Sequence, residues 1–382
     1  MKISILGSTK PGNKLSKEEA MNFAGKSAGI CYMPNDIDTL FSEPQEKTER
    51  RANMTLSSGH HSVFDHTTYN LALEGIPKIL AMILNNEGMY TTSEKSARYT
   101  KMTPSEEEAA LYEKWIDIYQ QEISKKYPEI DEKRVKKLAQ ENARYLISVF
   151  TPATTMEYSV SFRQLNYITH WFEDYIKNEP NTSFSTKLKP ILKEFIENVS
   201  DYIVPELNSS AKTRTIALFD NRDRKEEFGE NYCTTYEGTF AELAQAQRHR
   251  TLDYKMRLLA TPKFYVPQII EDNERLKQEW LRDINGLADF YPQGMLVKVN
   301  ERGTLENFVL KCKERVCGSA QLEIMNQTYD TLQKYVENTK NTNEEIYEFL
   351  LPYTKGARCT YPGFTCTAQC MWGAKNALTR KI

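Results

Sequence analysis

The sequence contains no long apolar run and no excess of charge of either sign. Its 382 residues include 50 lysines and arginines against 52 aspartates and glutamates, a formal net charge of -2. A chain so close to neutrality has no overall field that would draw it to nucleic acid or a membrane. No segment approaches a membrane span, and the apolar run after Lys2 is too short for a signal peptide. These absences predict a soluble cytoplasmic protein whose anion sites are local.

Common nucleotide-binding fingerprints are also missing. Neither a GxGxxG run nor a P-loop occurs, which argues against a Rossmann dehydrogenase. None of the seven cysteines stands beside a general base that would make it a nucleophile. An aromatic and basic platform for RNA is absent as well. The function must therefore be sought in smaller clusters of residues.

Three of the cysteines crowd into the segment 357–382, as Cys359, Cys366 and Cys370. In a cytosolic chain such crowding favours a metal site over a disulfide. Cys317 would be the fourth ligand of a tetrahedral thiolate site, a structural zinc that joins this tail to the preceding helix. The spacings are not those of a CxxC knuckle, so reduced cysteines in a packed tail are the alternative.

The stretch 239–251 carries the strongest local signal. Thr239 and Glu242 have the spacing of a capping box, which predicts that a helix begins there. The last turn of this helix brings together Gln245, Arg248, His249 and Arg250. Two guanidinium groups around an imidazole favour planar or multiply charged anions such as phosphates. A basic helix end that complements the helix dipole is the alternative.

A second cluster lies in the turn-rich stretch 89–101. Small residues there let backbone amides approach an anion, the Ser96 hydroxyl adds a donor, and Arg98 adds a bidentate fork. The stretch predicts a phosphate cradle, with a solvated polar loop as the alternative. Three of the five histidines fall nearby, at 60, 61 and 66, but adjacent histidines on an extended chain point apart and disfavour a metal.

The same order of predicted strands and helices occurs twice along the chain. Strands are predicted near 69–73, 156–162, 216–219 and 295–299, and helices near 17–28, 76–86, 106–119, 134–145, 163–176, 185–198, 239–247, 271–280 and 305–315. Corresponding helix ends are offset by 248 − 86 = 162 residues and corresponding strands by 299 − 160 = 139 residues. This predicts an α+β fold of two tandem repeats, 1–207 and 208–356, each a small mostly antiparallel sheet with long helices.

Together these motifs resemble the flavin-dependent thymidylate synthases. The first half matches that family with Gly59-His60-His61-Ser62, Glu94-Lys95-Ser96-Ala97-Arg98-Tyr99 and Ala143-Arg144. The second half matches it with Gln245, Arg248-His249-Arg250, Asn300, Arg302, Asn307, Arg315, Cys317 and Ala320-Gln321-Leu322-Glu323-Ile324. Each half lacks motifs that the other half keeps. The first half has Asn86-Glu87-Gly88 where the RHR run would stand, and the second half has Asp289 where the arginine of the A-R pair would stand.

The resemblance implies reductive methylation of dUMP to dTMP with methylenetetrahydrofolate, NADPH and FAD. It implies one composite site split between the repeats, and a homodimer that mimics the family's tetramer. Arg315 would be catalytic, and the substrate-binding residues would be Glu94, Ser96, Ala97, Arg98, Arg144, Gln245 and Arg248. The FAD-binding residues would be His60, Ser62, Arg248, His249, Arg250, Asn300, Arg302 and Asn307. A flavoenzyme for another pyrimidine nucleotide and a non-catalytic nucleotide-binding paralogue are the alternatives.

Overall fold

The structure is a computed structural model that describes residues 12, 14–30, 37–96, 100–207, 214–219, 222–367 and 370–382. The sequence also predicts a strand near residues 3–6 and a breaker-rich linker at 205–212; residues 3–6, Ala97, Arg98 and residues 208–212 lie outside the described part of the chain. Among the described residues, no helix is both long enough and apolar enough to cross a bilayer.

Helices and short strands alternate along the chain. Up to residue 207 they are α1 (Lys17–Gly29), α2 (Ile37–Phe41), α3 (Gln45–Ser57), β1 (Thr68–Ile76), α4 (Lys78–Leu84), β2 (Tyr90–Glu94), α5 (Glu106–Lys126), α6 (Glu132–Ala143), β3 (Thr154–Ser161), α7 (Phe162–Asn178) and α8 (Ser183–Asn198). After it they are β4 (Glu227–Phe228), β5 (Asn231–Thr239), α9 (Phe240–Ala246), β6 (Asp253–Leu258), α10 (Gln268–Glu271), α11 (Glu274–Asn285), β7 (Leu296–Thr304), α12 (Leu305–Arg315), α13 (Leu322–Thr339), α14 (Glu344–Leu350) and α15 (Gly373–Asn376). The α+β class is confirmed.

The strands form two small sheets. One has three strands in the order β1-β3-β2, and the other has four in the order β4-β5-β7-β6. The last three strands of the second sheet repeat the first-last-middle order of the first, and in both sheets the first and last of these strands in sequence lead directly into a helix. The predicted duplication stays a prediction, because shared topology does not establish common descent.

By compactness the chain divides into two units. The first contains residues 1–73, 89–93 and 157–216, and the second contains residues 74–88, 94–156 and 217–382. In the first unit α1 packs on α3 so closely that a Cβ at Gly25 would lie 2.4 Å from the Thr48 carbonyl oxygen. Arg51 joins the pair, donating to the Gly25 oxygen at 2.9 Å and to both oxygens of Glu43. Only glycine permits this approach.

The second unit is built around two layers. Helices α5 and α6 form a hairpin whose core includes Trp115 and Tyr119, packed edge-on against Trp280 of α11. The antiparallel pairs of β7 with β5 and β6 carry α9 and α12 at their ends, because β5 runs into α9 at Thr239 and β7 runs into α12 at Thr304. These two helix caps fix where α9, which precedes the RHR run, and α12, which carries Arg315, lie.

Two local predictions are wrong, and the strands β4, β5 and β6 were missed. Residues 217–219 form a 3-10 turn rather than a strand, with the Ala217 carbonyl accepting from the Lys255 amine at 2.6 Å. Part of the stretch 89–101 is β2 rather than loop, because Thr92 is buried and its hydroxyl donates to the Glu157 carbonyl. Strands β5 and β6 were not predicted, although threonine and tyrosine are abundant in β5.

Lys311 and Glu301 form an ion pair with both side chains at 0% exposure and a separation of 2.6 Å. Replacement by methionine, Lys311→Met, leaves the Glu301 carboxylate buried without its counter-ion, so we expect the free energy of unfolding to fall by about 3 to 5 kcal/mol. Urea unfolding measures the loss. The matched control is Lys334→Met, in the exposed pair with Glu226, which should cost less than about 1 kcal/mol. Equal losses in the two variants would contradict the assignment.

Candidate functional site

The start of α9 is held by the Glu323 carboxylate rather than by the predicted reciprocal capping box. The Thr239 hydroxyl accepts from the Glu242 N–H at 3.0 Å, as expected. The Thr239 N–H donates instead to Glu323 Oε1 at 3.1 Å, and the Thr239 hydroxyl also bonds Glu323 Oε2 at 2.9 Å. Glu242 is fully buried, and burial raises its pKa to about 8. Helix α13, which carries Glu323, therefore anchors α9, and the RHR run follows directly after the end of α9 rather than in its last turn.

A cavity of about 250 Å³ lies in the second unit beside the end of α9. We call it the substrate cavity. Five cations line it against a single acid, Glu94; the cations are Lys78, Lys95, Arg144, Arg248 and Arg315. Ser96 and Gln245 line it as well. Such an excess of positive charge in a small cavity favours a ligand with more than one negative charge.

On one wall of the substrate cavity, the Glu94 carboxylate accepts hydrogen bonds from several side chains. The Glu94 side chain is only 5% exposed, and its carboxylate accepts from Lys78 Nζ at 2.5 Å and from the Thr154 and Asn85 side chains at 3.2 and 3.3 Å. Arg248 Nη1 lies 3.9 Å from Glu94 Oε2. Glu94 thus positions two cations. Sequence reasoning missed Lys78, since one lysine at the start of a helix gives no signal.

Gln321 ties together residues that are distant in sequence. Its Oε1 accepts from both Arg144 Nη2 and Gln245 Nε2, and its Nε2 donates to the Tyr145 hydroxyl. That hydroxyl in turn donates to Glu323 Oε2 at 2.7 Å. A buried amide oxygen shared by two donors fixes both of them. The arginine of the A-R pair and the glutamine before the RHR run are therefore set relative to each other.

Arg315 is aimed by His249. The guanidinium Nε donates to His249 Nε2 at 2.7 Å, and Nη2 donates to the Gln245 carbonyl at 3.3 Å. Burial, followed by the nearby charges of Arg315 and Lys311, lowers the pKa of His249 to about 2. The ring is therefore neutral, and the acceptor role of Nε2 assigns the proton to Nδ1, which lies 3.6 Å from Glu314.

Two guanidinium donors at the substrate cavity make no hydrogen bond within the described residues. They are Nε of Arg144, whose residue is 6% exposed, and Nη1 of Arg248. A buried charged donor without an acceptor is costly, and native structures rarely keep one without a reason. Both donors belong to residues that line the same cavity.

The other predicted residues lie elsewhere. His60 and Ser62 are exposed in the first unit, at the start of the 3-10 turn His61–Asp65. Asn300, Arg302 and Asn307 do not line the substrate cavity: Asn300 donates to the Thr234 carbonyl, Arg302 pairs with Asp253, and Asn307 donates to the Thr251 carbonyl. Arg250 is exposed just after the RHR helix.

The predicted zinc site finds no support in the geometry. Among the described residues, which include Cys317, Cys359, Cys366 and Cys370, no three His, Cys, Asp or Glu side chains are grouped so as to hold a metal ion. The four thiols are still neighbours: burial mainly raises the pKa of Cys359, and the other three thiols raise it further.

The low pKa of His249 makes stability depend on pH. Below about pH 6.5 His249 is protonated in the unfolded chain but stays neutral in the folded protein. The free energy of unfolding therefore decreases as the pH falls. Between about pH 7.5 and 5.0 the wild type should lose about 2 kcal/mol more than His249→Asn, which keeps an acceptor for Arg315 but does not titrate. Urea unfolding at the two pH values tests this. Protonation of Glu242 changes the free energy of unfolding in the opposite direction. Because this contribution is present in both proteins, it cancels when they are compared. Parallel pH profiles would contradict the buried neutral imidazole.

Comparison with known proteins gives two matches. Residues 15–171 match the family described as thymidylate synthase complementing protein. A flavin-dependent thymidylate synthase from Clostridium tetani (strain Massachusetts / E88) is 30% identical over 77 residues, which is 20% of this chain and 31% of the relative. The aligned segment thus spans under a third of the relative's length. Over residues 15–171 the resemblance to the flavin-dependent thymidylate synthase family, first drawn from the sequence, is confirmed.

Proposed function

We propose that the chain is a flavin-dependent thymidylate synthase that methylates C5 of dUMP, with methylenetetrahydrofolate as the carbon donor and NADPH as the reductant. The observation that supports this most is the substrate cavity, where five cations face one acid and two buried guanidinium donors find no acceptor in the described part of the chain. Motifs from both halves of the chain supply these residues. We further propose that two copies associate as a homodimer.

The phosphate of the nucleotide supplies negative charge and hydrogen-bond acceptors to the cationic donors of the cavity. A phosphomonoester carries roughly 1.5 to 2 negative charges near neutral pH and presents three acceptor oxygens. Nε of Arg144 and Nη1 of Arg248 are donors that such oxygens satisfy, and the Ser96 hydroxyl lines the same cavity. Lys78, held by Glu94, adds a further charge. Glu94 itself would repel a phosphate, so in this proposal it orients cations and does not touch the ligand.

The pyrimidine ring lies toward Arg315. A guanidinium held rigidly beside the ring stabilises negative charge as it develops there, which raises the electron density at C5. His249 performs the positioning, because a neutral imidazole accepts from Arg315 without competing for its charge. Gln245, fixed by Gln321, supplies an amide at the same cavity.

The residues near the RHR helix fit an anionic cofactor such as FAD. Arg248 has guanidinium nitrogens besides Nη1, and Arg250 is exposed beside it in sequence, so both residues suit flavin phosphates. A bound FAD supplies hydride chemistry, while the protein binds and orients. The family resemblance adds His60 and Ser62 of the first unit to the proposed cofactor residues. His249 is 5% exposed and bonded to Arg315, so its proposed part is to hold that arginine.

Arg144→Ala and Arg248→Ala separate nucleotide from flavin binding. Removing Arg144 takes away one of the two buried charged donors proposed for the phosphate, so the Kd for dUMP should rise by a factor of roughly 30 or more, with flavin content unchanged. Arg248→Ala should weaken both. Calorimetry with dUMP and the visible absorbance of the purified protein measure the two effects. Arg275→Ala, in α11 with a side chain 77% exposed, is the control. Equal flavin loss in the two site variants would contradict this division of labour.

Release of tritium from dUMP labelled at C5 tests the reaction itself. The proposal predicts a yellow protein that releases tritium when methylenetetrahydrofolate and NADPH are both present. Parallel reactions with labelled UMP and dCMP test the substrate. Release of tritium from UMP or dCMP and not from dUMP would show that the substrate is another pyrimidine nucleotide. A colourless protein with no release, which still binds dUMP, would identify a non-catalytic nucleotide-binding paralogue.

A further inference from the structure

A second cavity, of about 390 Å³, lies in the same unit as the substrate cavity and shares no lining residue with it. We call it the α6 cavity, because one face of α6 forms its floor. Gln321 lines the α6 cavity, and its side chain is bonded to Arg144 and Gln245 of the substrate cavity. The proposed methylation of dUMP makes no use of this space.

Aromatic side chains form the walls of the α6 cavity. They are Tyr145, Tyr265 and Trp372, of which Tyr145 and Tyr265 have ring centroids 5.0 Å apart. Arg380, which is 5% exposed, holds Trp372 in place with its guanidinium 5.7 Å from the ring centroid. Its Nη2 also donates to the Ala320 carbonyl at 2.7 Å. Walls of this kind suit a flat ring system, which stacks on aromatic faces.

Charge along α6 changes sign from the mouth of the cavity to its interior. Lys133 and Arg134 are exposed, Lys137 is half-buried, and Glu141 is buried at 5% exposure; all four line the cavity. Seven residues separate Arg134 from Glu141, or roughly 10 Å at about 1.5 Å per residue. A ligand that fits this axis has N–H donors at one end and an anionic group roughly 10 Å away.

We propose that the α6 cavity binds a purine nucleotide of the guanine type. The base lies between the aromatic walls, its ring N–H and amino group donate to the Glu141 carboxylate, and its phosphate lies at Lys133, Arg134 and Lys137. Guanine offers two adjacent N–H donors, which match the two oxygens of a carboxylate. A pyrimidine fills less of the wall, and uracil offers a single ring donor. The same carboxylate opposes entry of the phosphate end, which sets the orientation.

Calorimetry on the full chain tests the proposal with three probes: GMP, IMP, which lacks the amino group, and guanosine, which lacks the phosphate. GMP should bind about tenfold or more tighter than either of the others, since each lacks one recognised group. Glu141→Gln should weaken GMP about tenfold and abolish the preference over IMP. Lys137→Ala should weaken GMP severalfold, whereas Lys136→Ala, an exposed neighbour that does not line the cavity, should not.

Several results would overturn the proposal. One is no GMP binding, and another is equal affinity for GMP and IMP. A third is displacement of GMP by dUMP in simple competition, which would place GMP in the substrate cavity. Thermal melts followed by circular dichroism check that the variants fold. If Glu141→Gln does not fold, the comparison of Lys137→Ala with Lys136→Ala decides alone, because neither lysine is buried in the core. Equal GMP affinity in that pair counts against the site.

Discussion

One amide oxygen, Oε1 of Gln321, holds the proposed active site together. It accepts from Arg144, at the end of one helix hairpin, and from Gln245, on α9, which precedes the RHR run. A carboxamide oxygen has two lone pairs, so it serves two donors fully and no third. The two groups are therefore fixed relative to each other although 245 − 144 = 101 residues separate them. Geometry of this precision, rather than charge alone, turns a basic surface into a site.

A buried polar layer beneath the site supports that geometry. Glu323 caps α9 through Thr239 and accepts from Tyr145, so one carboxylate fixes both the RHR helix and the neighbour of Arg144. Lys311, one helical turn before Arg315 on α12, is locked by Glu301 on β7. Each of these groups has its counter-ion or hydrogen-bond partner inside the fold. A polar core of this kind specifies one arrangement of helices, where an apolar core tolerates several.

Sequence patterns predicted the elements better than they predicted the contacts. The helix over 305–315 and the strand before α7 follow from hydrophobic periodicity, and the start of α9 follows from its cap. Of the residues in the ExSxR, A-R and RHR motifs, Glu94, Ser96, Arg144 and Arg248 line one cavity, whereas His249 and Arg250 do not. Hydrophobic periodicity does not predict which side chains from distant parts of the chain contact each other. The partnership of His249 with Arg315, the part of Lys78 and the bridging role of Gln321 depend on which helices pack together, and each of these residues alone resembles an ordinary surface or core residue.

The central claim is that Arg144 and Arg248, from distant parts of the chain, bind one phosphate. A crystal structure with dUMP bound tests it most directly. The account predicts that oxygens of a single phosphate lie within hydrogen-bond distance, about 2.7 to 3.1 Å, of Nε of Arg144 and Nη1 of Arg248. A dUMP phosphate that contacts neither guanidinium would contradict the account.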